Sequence, residues 1–193
     1  GAAVQNVGAY GTELADVVEK VSLYDVATGE RTDLSREQMH YGYRTSLLKE
    51  PRMKGRYIVL SVTMRLSRKP QPRLGYKALA EAVKTVENLT PSAMREAVGR
   101  IRGSKLPDPK LTGSVGSYFK NPVVTAEAAA AFTAAHPEAP AFNVGDGHVK
   151  LSAAWLIDHA GCKPLSCGGV ALWQSQPLVL VNAPGHAKVA EVL

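Results

Sequence analysis

The strongest periodic pattern in the chain lies in residues 57–66, where apolar and mixed side chains alternate. One face carries only large apolar groups, namely Ile58, Leu60, Val62, Met64 and Leu66. The other face carries Tyr57, Val59, Ser61, Thr63 and Arg65. Because successive strand side chains point to opposite faces of a sheet, this spacing predicts a strand at the centre of a half-buried sheet.

Turn and cap signals predict further elements around this strand. A hairpin is predicted from residue 21 through the Gly29 turn, and a second one joins residues 169–173 to 178–182. Residues 137–147 are predicted to be a loop. Cap and stop signals also predict six helices. One short helix follows a Ser35/Gln38 capping box, and the others span Thr12 to Val18, Thr90-Pro91 to Gly103, Thr125 to Ala135, Ser152 to Gly161, and Ala187 to Leu193.

Composition excludes several classes of protein. The chain has 193 residues, 45% of them hydrophobic, which suffices for one sizeable core or two small ones. No apolar run approaches the roughly 20 residues that cross a bilayer, and no signal peptide is apparent. Cys162 and Cys167 lie in one short loop, which indicates a reducing, cytoplasmic protein. With His159 they could suggest zinc, but their spacing matches no common finger, so no metal site is predicted.

Residues 113–122 concentrate the most unusual chemistry, reading Gly-Ser-Val-Gly-Ser-Tyr-Phe-Lys-Asn-Pro. Two glycines permit close backbone approach to a ligand, while Ser117, Lys120 and Asn121 supply a hydroxyl, an ammonium and an amide. A solvated Gly/Ser loop is the alternative, but adjacent aromatics, Tyr118 and Phe119, argue for a rigid loop. This segment and the residues leading to it also carry cations that suit a diphosphate group, namely Arg102, Lys105, Lys110 and Lys120.

Two earlier stretches carry weaker signals. Residues 1–11 form a strip of small residues that suits a backbone lying against a flat ligand, with a frayed terminus as the alternative. Arg44 follows Tyr43 in a turn and could face an anion with its plane supported, although a surface arginine is about equally consistent with the local sequence. Two prolines in residues 69–73 favour a linker there, at Lys69-Pro70-Gln71-Pro72-Arg73.

Taken together, these motifs resemble the UDP-N-acetylenolpyruvoylglucosamine reductase family, type I branch. The resemblance runs in order through Gln5 to Gly11, Gly42-Tyr43-Arg44, Lys105 to Lys110, Gly113 to Pro122 and Trp155 to Asp158. It implies an α+β fold in which part of a PCMH/VAO-like FAD-binding domain precedes an α+β substrate-binding domain. The implied limits are residues 1–70 for the flavin part, 71–90 for a tyrosine-bearing loop segment, and 91–193 for the substrate domain.

The resemblance also implies the chemistry. Such an enzyme uses NADPH and FAD to reduce UDP-N-acetylglucosamine enolpyruvate to UDP-N-acetylmuramate in peptidoglycan precursor synthesis, as a cytoplasmic monomer. Ser117 matches the serine that protonates the intermediate, and Arg44 matches the active-site arginine. The implied UDP-sugar contacts are Tyr10, Tyr76, Arg102, Lys105, Lys120 and Asn121. The implied flavin contacts are Gln5, Asn6, Val7, Gly8 and Val59.

Several departures from the family pattern qualify this expectation. The family's glycine-rich phosphate loop and the strand with its catalytic glutamate have no counterpart in the chain, so a fragment that turns over poorly alone is expected. Ala3 stands where proline is common, and Ala183 where some members have an acidic residue. Two alternatives remain, which are an FAD-linked oxidoreductase with another substrate and a basic module that binds nucleic acid, for which the net charge of +6 is the main argument.

Overall fold

The fold comes from a computed structural model that describes residues 1–69, 71–183 and 185–192. It divides into two compact units, residues 1–101 and 102–193, and the division falls inside a helix. Pro70, within the predicted linker and at a predicted domain limit, lies outside the described residues, so the sequence-derived domain limits stay predictions. Helices and strands are both present and every described strand pair is antiparallel, which is the α+β class predicted from the resemblance.

The first unit begins with small elements. Helix α1 spans Ala2–Gln5, and strands β1 (Gly8–Ala9) and β2 (Thr12–Glu13) form a hairpin. Its turn residues, Tyr10 and Gly11, have φ of 53° and 83°, the left-handed pair that a tight two-residue hairpin requires. The predicted helix from Thr12 to Val18 is therefore wrong. Only a 3₁₀ turn forms, at Leu14–Asp16, capped by reciprocal bonds between Glu13 and Asp16.

The main sheet of the first unit has the order β4-β3-β5. Strand β3 spans Val18–Asp25, β4 spans Arg31–Ser35 and β5 spans Tyr57–Met64. The β3–β4 hairpin confirms the prediction. The Ser35/Gln38 capping box forms its two reciprocal bonds, but only a turn follows, because His40 enters the left-handed region at φ 46°.

Strand β5 exists as predicted, but it lies at the edge of the sheet and β3 is central, so its predicted position was wrong. Its faces were also assigned wrongly. Leu23 pairs with Val59 and Ser22 with Ser61, so Leu60 is an extra residue that forms a bulge. Tyr57 and Val59 face the buried core of Val21, Leu23 and Met39, and the bulge puts Val62 on the same face. Ile58 lies on the other face and is 54% exposed.

Two helices complete the first unit. Helix α2 spans Lys77–Ala82, and α3 spans Pro91–Lys105, which crosses into the second unit. The predicted start of α3 is confirmed by Thr90, whose Oγ1 accepts a hydrogen bond from Ala93 N at 3.2 Å. The predicted stop at Gly103 is wrong. The helix continues to Lys105, since Pro107 restricts Leu106 and sets the end instead.

The second unit contains two sheets. Strands β10 (Ser166–Cys167), β11 (Val170–Trp173), β12 (Gln176–Asn182) and β6 (Ser114–Ser117) pair in that order. Strands β7 (Val123–Thr125), β9 (His148–Leu151) and β8 (Ala141–Gly145) form the other sheet. The β11–β12 hairpin is confirmed. The predicted loop at 137–147 is wrong, because Asp146 and Gly147 take φ of 49° and 67° and close a β8–β9 hairpin.

Helices α4 (Ala126–Ala135) and α5 (Ala153–His159) confirm the two cap predictions. Thr125 Oγ1 accepts from Ala128 N and Ser152 Oγ accepts from Trp155 N, each at 3.2 Å. The helix predicted from Ala187 is only a 3₁₀ turn at Val189–Glu191, and Leu193 lies outside the described residues. Among the described residues, no helix has the length and apolar character needed to span a membrane.

Candidate active site

Asn6 organises the strip at the start of the chain. Its side chain is 1% exposed, and its backbone is left-handed at φ 43°. Its Nδ2 donates to Glu13 Oε2 at 2.9 Å and to Gly42 O at 3.0 Å, while its Oδ1 accepts from Ala15 N at 2.9 Å. Both amide donors and the oxygen are thus engaged within the protein, and they hold three separate segments together.

Arg44 also binds this strip. Its guanidinium donates to the carbonyl oxygens of Asn6, at 3.2 Å, and Gly8, and it pairs with Glu13 Oε1 at 3.4 Å. Tyr43 supports the group, with its ring centroid 5.1 Å from the guanidinium carbon. Arg44 itself has φ 53°. The structure therefore joins the predicted catalytic arginine to two of the predicted flavin contacts.

The remaining predicted flavin contacts differ in their surroundings. Val59 packs against the buried core, and Gln5 Oε1 accepts from Lys49 Nζ at 2.7 Å. Val7 is 51% exposed, next to the small residues Gly8 and Ala9. A Cβ placed on Gly8 would lie 2.7 Å from Glu13 Cγ, so glycine is needed there for close packing within the chain.

These residues fit a flat aromatic cofactor mainly by surface contact. The half-exposed Val7 and its small neighbours offer a small apolar surface, which would suit a flavin ring. Asn6 does not fit as a direct ligand, because its amide is engaged in the network with Glu13, Gly42 and Ala15.

Tyr10 and Tyr76, both predicted to contact the UDP-sugar, pack edge to face with ring centroids 5.3 Å apart. Tyr10 lines a cleft of about 670 Å³ in the first unit, together with Asp16, Arg65, Lys69 and Arg73. Arg73 pairs with Asp16, and this hydrogen bond lowers the pKa of the Asp16 carboxyl. Lys69 and Arg73 were not singled out from the sequence because their proline-rich segment was interpreted as a linker.

Ser117 is the last residue of β6. Its backbone pairs with Val179 of β12, and the following residue, Tyr118, donates its N–H to Leu178 O at 2.8 Å. Gly116 has φ 73°, and a Cβ there would meet nothing within 4 Å. The Tyr118 and Phe119 rings lie edge to face at 5.3 Å. The Ser117 side chain is exposed on a strand end that backbone pairing fixes.

The other predicted substrate residues of the second unit differ in their surroundings. Asn121 Oδ1 accepts from Ala153 N at 3.0 Å, which ties the segment after β6 to the start of α5. Lys105 is the last residue of α3 and is half-buried, while Arg102 and Lys120 are exposed. Ser117, Lys120 and Asn121 thus share one short segment of this unit, whereas Arg44 belongs to the first unit.

Sequence reasoning missed one residue of the first-unit network. Glu13 accepts from both Asn6 and Arg44 and also caps the 3₁₀ turn at Leu14–Asp16. Nothing in the local sequence distinguishes it, because a lone glutamate after a threonine is also typical of a solvated helix start. Only the hairpin around Tyr10-Gly11 brings Glu13 back to the strip.

Comparisons with known proteins relate nearly the whole chain to one kind of enzyme. A family model described as the C-terminal domain of UDP-N-acetylenolpyruvoylglucosamine reductase matches residues 108–193. A protein of that name from Neisseria gonorrhoeae is 46% identical over 182 residues, which cover 93% of this chain and 52% of the relative. Its counterpart from Escherichia coli O157:H7 is 42% identical over 190 residues, covering 98% of this chain and 54% of the relative.

A solved structure gives the same result. The crystal structure of UDP-N-acetylenolpyruvylglucosamine reductase (MurB) from Thermus caldophilus matches with a TM-score of 0.56 and 26% identity, over 100% of this chain and 52% of that one. The chain therefore spans about half the length of the relatives it matches. Sequence and fold thus agree that this chain is similar, over nearly all of its length, to part of the UDP-N-acetylenolpyruvoylglucosamine reductases.

Proposed function

We propose that this chain serves the NADPH-dependent, FAD-mediated reduction of UDP-N-acetylglucosamine enolpyruvate to UDP-N-acetylmuramate in peptidoglycan synthesis. The observation that carries the proposal is the 46% identity to a reductase named for this chemistry over 93% of the chain. We further infer a cytoplasmic monomer. The activity is proposed for the reductase as a whole, because this chain spans about half the length of the relatives.

Ser117 is the proton donor in this proposal. Reduction adds hydride to one carbon of the enolpyruvyl double bond and leaves negative charge beside the carboxylate, so the other carbon must take a proton. A serine hydroxyl is a weak acid and acts only where its conjugate base is stabilised. Two features support the assignment, which are the exposed position of Ser117 on a fixed strand end and the presence of Lys120 three residues on.

Arg44 stabilises the charge that develops beside the substrate carboxylate, as fixed cations do in water-poor sites. FAD, when bound, would take hydride from NADPH and pass it to the enolpyruvyl group. Val7, Gly8 and Gln5 would support the cofactor by contact, and Val59 packs against the core of the same unit. Asn6 acts through these residues by fixing the backbone, because its own amide is engaged.

Aromatic and cationic groups would hold the UDP-sugar. Tyr10 and Tyr76 form an edge-to-face pair in the first unit, suited to a ring of the nucleotide. In the second unit, the diphosphate partners are proposed to be Arg102, Lys105 and Lys120, because ammonium and guanidinium groups bind phosphate oxygens strongly. Asn121 is included as the amide contact, and its bond to Ala153 N fixes its orientation.

Anaerobic flavin absorption tests the proposal on the full-length protein. NADPH should bleach the flavin band, and UDP-N-acetylglucosamine enolpyruvate should restore it. In S117A, bleaching should persist while recovery slows by at least about a hundredfold, within the range that general acid catalysis contributes. The matched control is S114A on the same strand, which should recover at the wild-type rate. Bleaching without recovery in the wild-type protein would overturn the substrate assignment and favour another FAD-linked reaction.

A further inference from the structure

Two histidines and one glutamate of the second unit lie together outside the residues used above. One ring nitrogen of His136, one of His159 and a carboxylate oxygen of Glu138 all lie within 4.8 Å of one another. His136 is half-buried, while Glu138 and His159 are exposed. Two imidazoles and a carboxylate are the donors that zinc and related divalent transition metals prefer.

The fold gathers these donors from two helices. His136 is the C-terminal cap residue of α4, Glu138 follows two residues later, and His159 is the last residue of α5. Trp155 contacts both histidines, because its ring stacks on His159 at 4.2 Å and 15° and its centroid lies 5.6 Å from that of His136. The two imidazoles meet edge to face at 5.0 Å. The histidines are thus held at one point on the surface by packing on a shared aromatic ring.

The spacing is close to that of a metal site. Two nitrogen donors on one tetrahedral zinc ion lie about 3.3 Å apart, given bonds of about 2.0–2.1 Å. A contraction from 4.8 Å is within reach of side-chain torsions, since Glu138 and His159 are both exposed. Three protein donors also leave a coordination position open for water.

We propose that His136, Glu138 and His159 form a binding site for a divalent transition cation of the zinc class. The site is separate from the proposed reductase residues, and neither cysteine of the chain belongs to it. Its position at the ends of α4 and α5 means that a bound ion joins the two helices. Binding should therefore raise the thermal stability of the second unit, because the ion binds only the folded arrangement.

Calorimetry with zinc chloride on the untagged 193-residue chain tests the site directly. A C162S/C167S background removes the two free thiols, which would otherwise bind zinc on their own. The expected result is one zinc ion per chain, with magnesium giving no heat of binding at the same concentration. E138Q and H159Q should each weaken zinc binding by at least about tenfold, because even changes behind the ligands cost about 10–100-fold.

H148Q is the matched control, because His148 is another exposed histidine of the second unit and lies outside the cluster. It should bind zinc like the parent chain. Circular dichroism should show that all variants are folded. If H159Q unfolds, E138Q still tests the site, because Glu138 is exposed and its substitution should have little structural consequence. Unchanged affinity in E138Q and H159Q, equal binding of magnesium, or loss of zinc binding on removing the thiols would each overturn the proposal.

Fluorescence adds a local readout. In W173F, Trp155 is the only tryptophan, since the chain has two. Nickel bound at the site should quench Trp155 emission because the Trp155 ring stacks on His159, and excess zinc should restore it. Quenching of equal strength in H159Q would place the nickel elsewhere and contradict the proposed site.

Discussion

The two proposed catalytic residues are held in place by different means. Arg44 is fixed by side-chain bonds, in a region where Asn6, Tyr10 and Arg44 itself all have left-handed backbones. Ser117 is fixed by its backbone, through the pairing of β6 with β12, and this pairing does not involve its side chain. The first arrangement depends on particular side chains. The second depends on strand pairing that many sequences could supply.

This difference has a consequence for mutation. In the first unit, one substitution can break several bonds between distant segments, because Asn6 contacts residues 7 and 36 positions away as well as Ala15. In the second unit, a side-chain substitution near Ser117 should matter little unless it changes the backbone. Stability measurements on matched variants can therefore test the comparison before any substrate is available.

The largest effect is expected for N6A. It removes three hydrogen bonds of a buried amide, at roughly 1 kcal/mol each, so the free energy of unfolding should fall by about 3 kcal/mol. Urea unfolding measures the change. N143A is the control, since Asn143 is exposed and makes one local bond to Gly145. Equal losses in the two variants would mean that the network around Asn6 contributes no special stability.

A smaller effect, with a defined pH dependence, is expected for D25N. Arg56 donates to Asp25 Oδ2 at 2.8 and 2.9 Å and holds the pKa of that buried carboxyl below its ordinary 3.8. A lowered folded-state pKa stabilises the protein above pH 3.8, and this stabilisation is lost as the pH falls through the folded value. The midpoint of thermal unfolding should thus be lower in D25N at neutral pH.

The same experiment carried to low pH sharpens the prediction. The gap between wild type and D25N should close below pH 3.8, as the wild-type carboxyl takes up its proton. D33N is the control, because Asp33 pairs with Lys20 on the surface with 48% of its side chain exposed, and it should shift the midpoint less. A gap between wild type and D25N that stays constant down to pH 2 would argue against the Asp25–Arg56 pair.

G116A tests the backbone of the second unit. An alanine at φ 73° is strained even with open space around it, so we expect a loss of about 1–2 kcal/mol in urea unfolding. G103A is the matched control, because Gly103 lies inside α3 and alanine should there stabilise the helix by about 0.5–1 kcal/mol. Effects of the same sign in both variants would contradict the assigned conformations.

The smallest effect on stability is expected for S117A, within about 0.5 kcal/mol, because the side chain is exposed. S46A is the comparison from the first unit. Ser46 is 3% exposed and donates to Val4 O at 2.8 Å, so its loss should cost about 1 kcal/mol. If S117A proved as destabilising as S46A, the view that strand pairing alone fixes Ser117 would have to be abandoned.

Local signals in the sequence predicted much of the fold. The caps at Thr90, Thr125 and Ser152 identified the starts of three helices, because a hydroxyl that accepts from the first turn is a local interaction. The β8–β9 hairpin was missed although Asp146-Gly147 is a recognised turn pair. The error at β5 has a different origin, since alternation alone cannot reveal an extra residue that appears only when two strands are paired.

The candidate site was predictable only in part. Residues 113–122 stand out by composition, and the structure does place Ser117 on an exposed strand end. The hydrogen bond from Arg44 to the Asn6 carbonyl could not be predicted, because the two residues lie 38 positions apart in the sequence. The histidine cluster was hidden for the same reason, as its members come from the ends of two helices.

The bulge at Leu60 also bears on how the length of this strand can change. A strand normally tolerates no insertion or deletion, because a shift by one residue moves every later side chain to the opposite face. In β5 the partners of Leu23 and Ser22 are Val59 and Ser61, so deleting Leu60 would make the ladder regular at this point with the same residues facing inwards. Sequences one residue shorter at this point are therefore compatible with the same core.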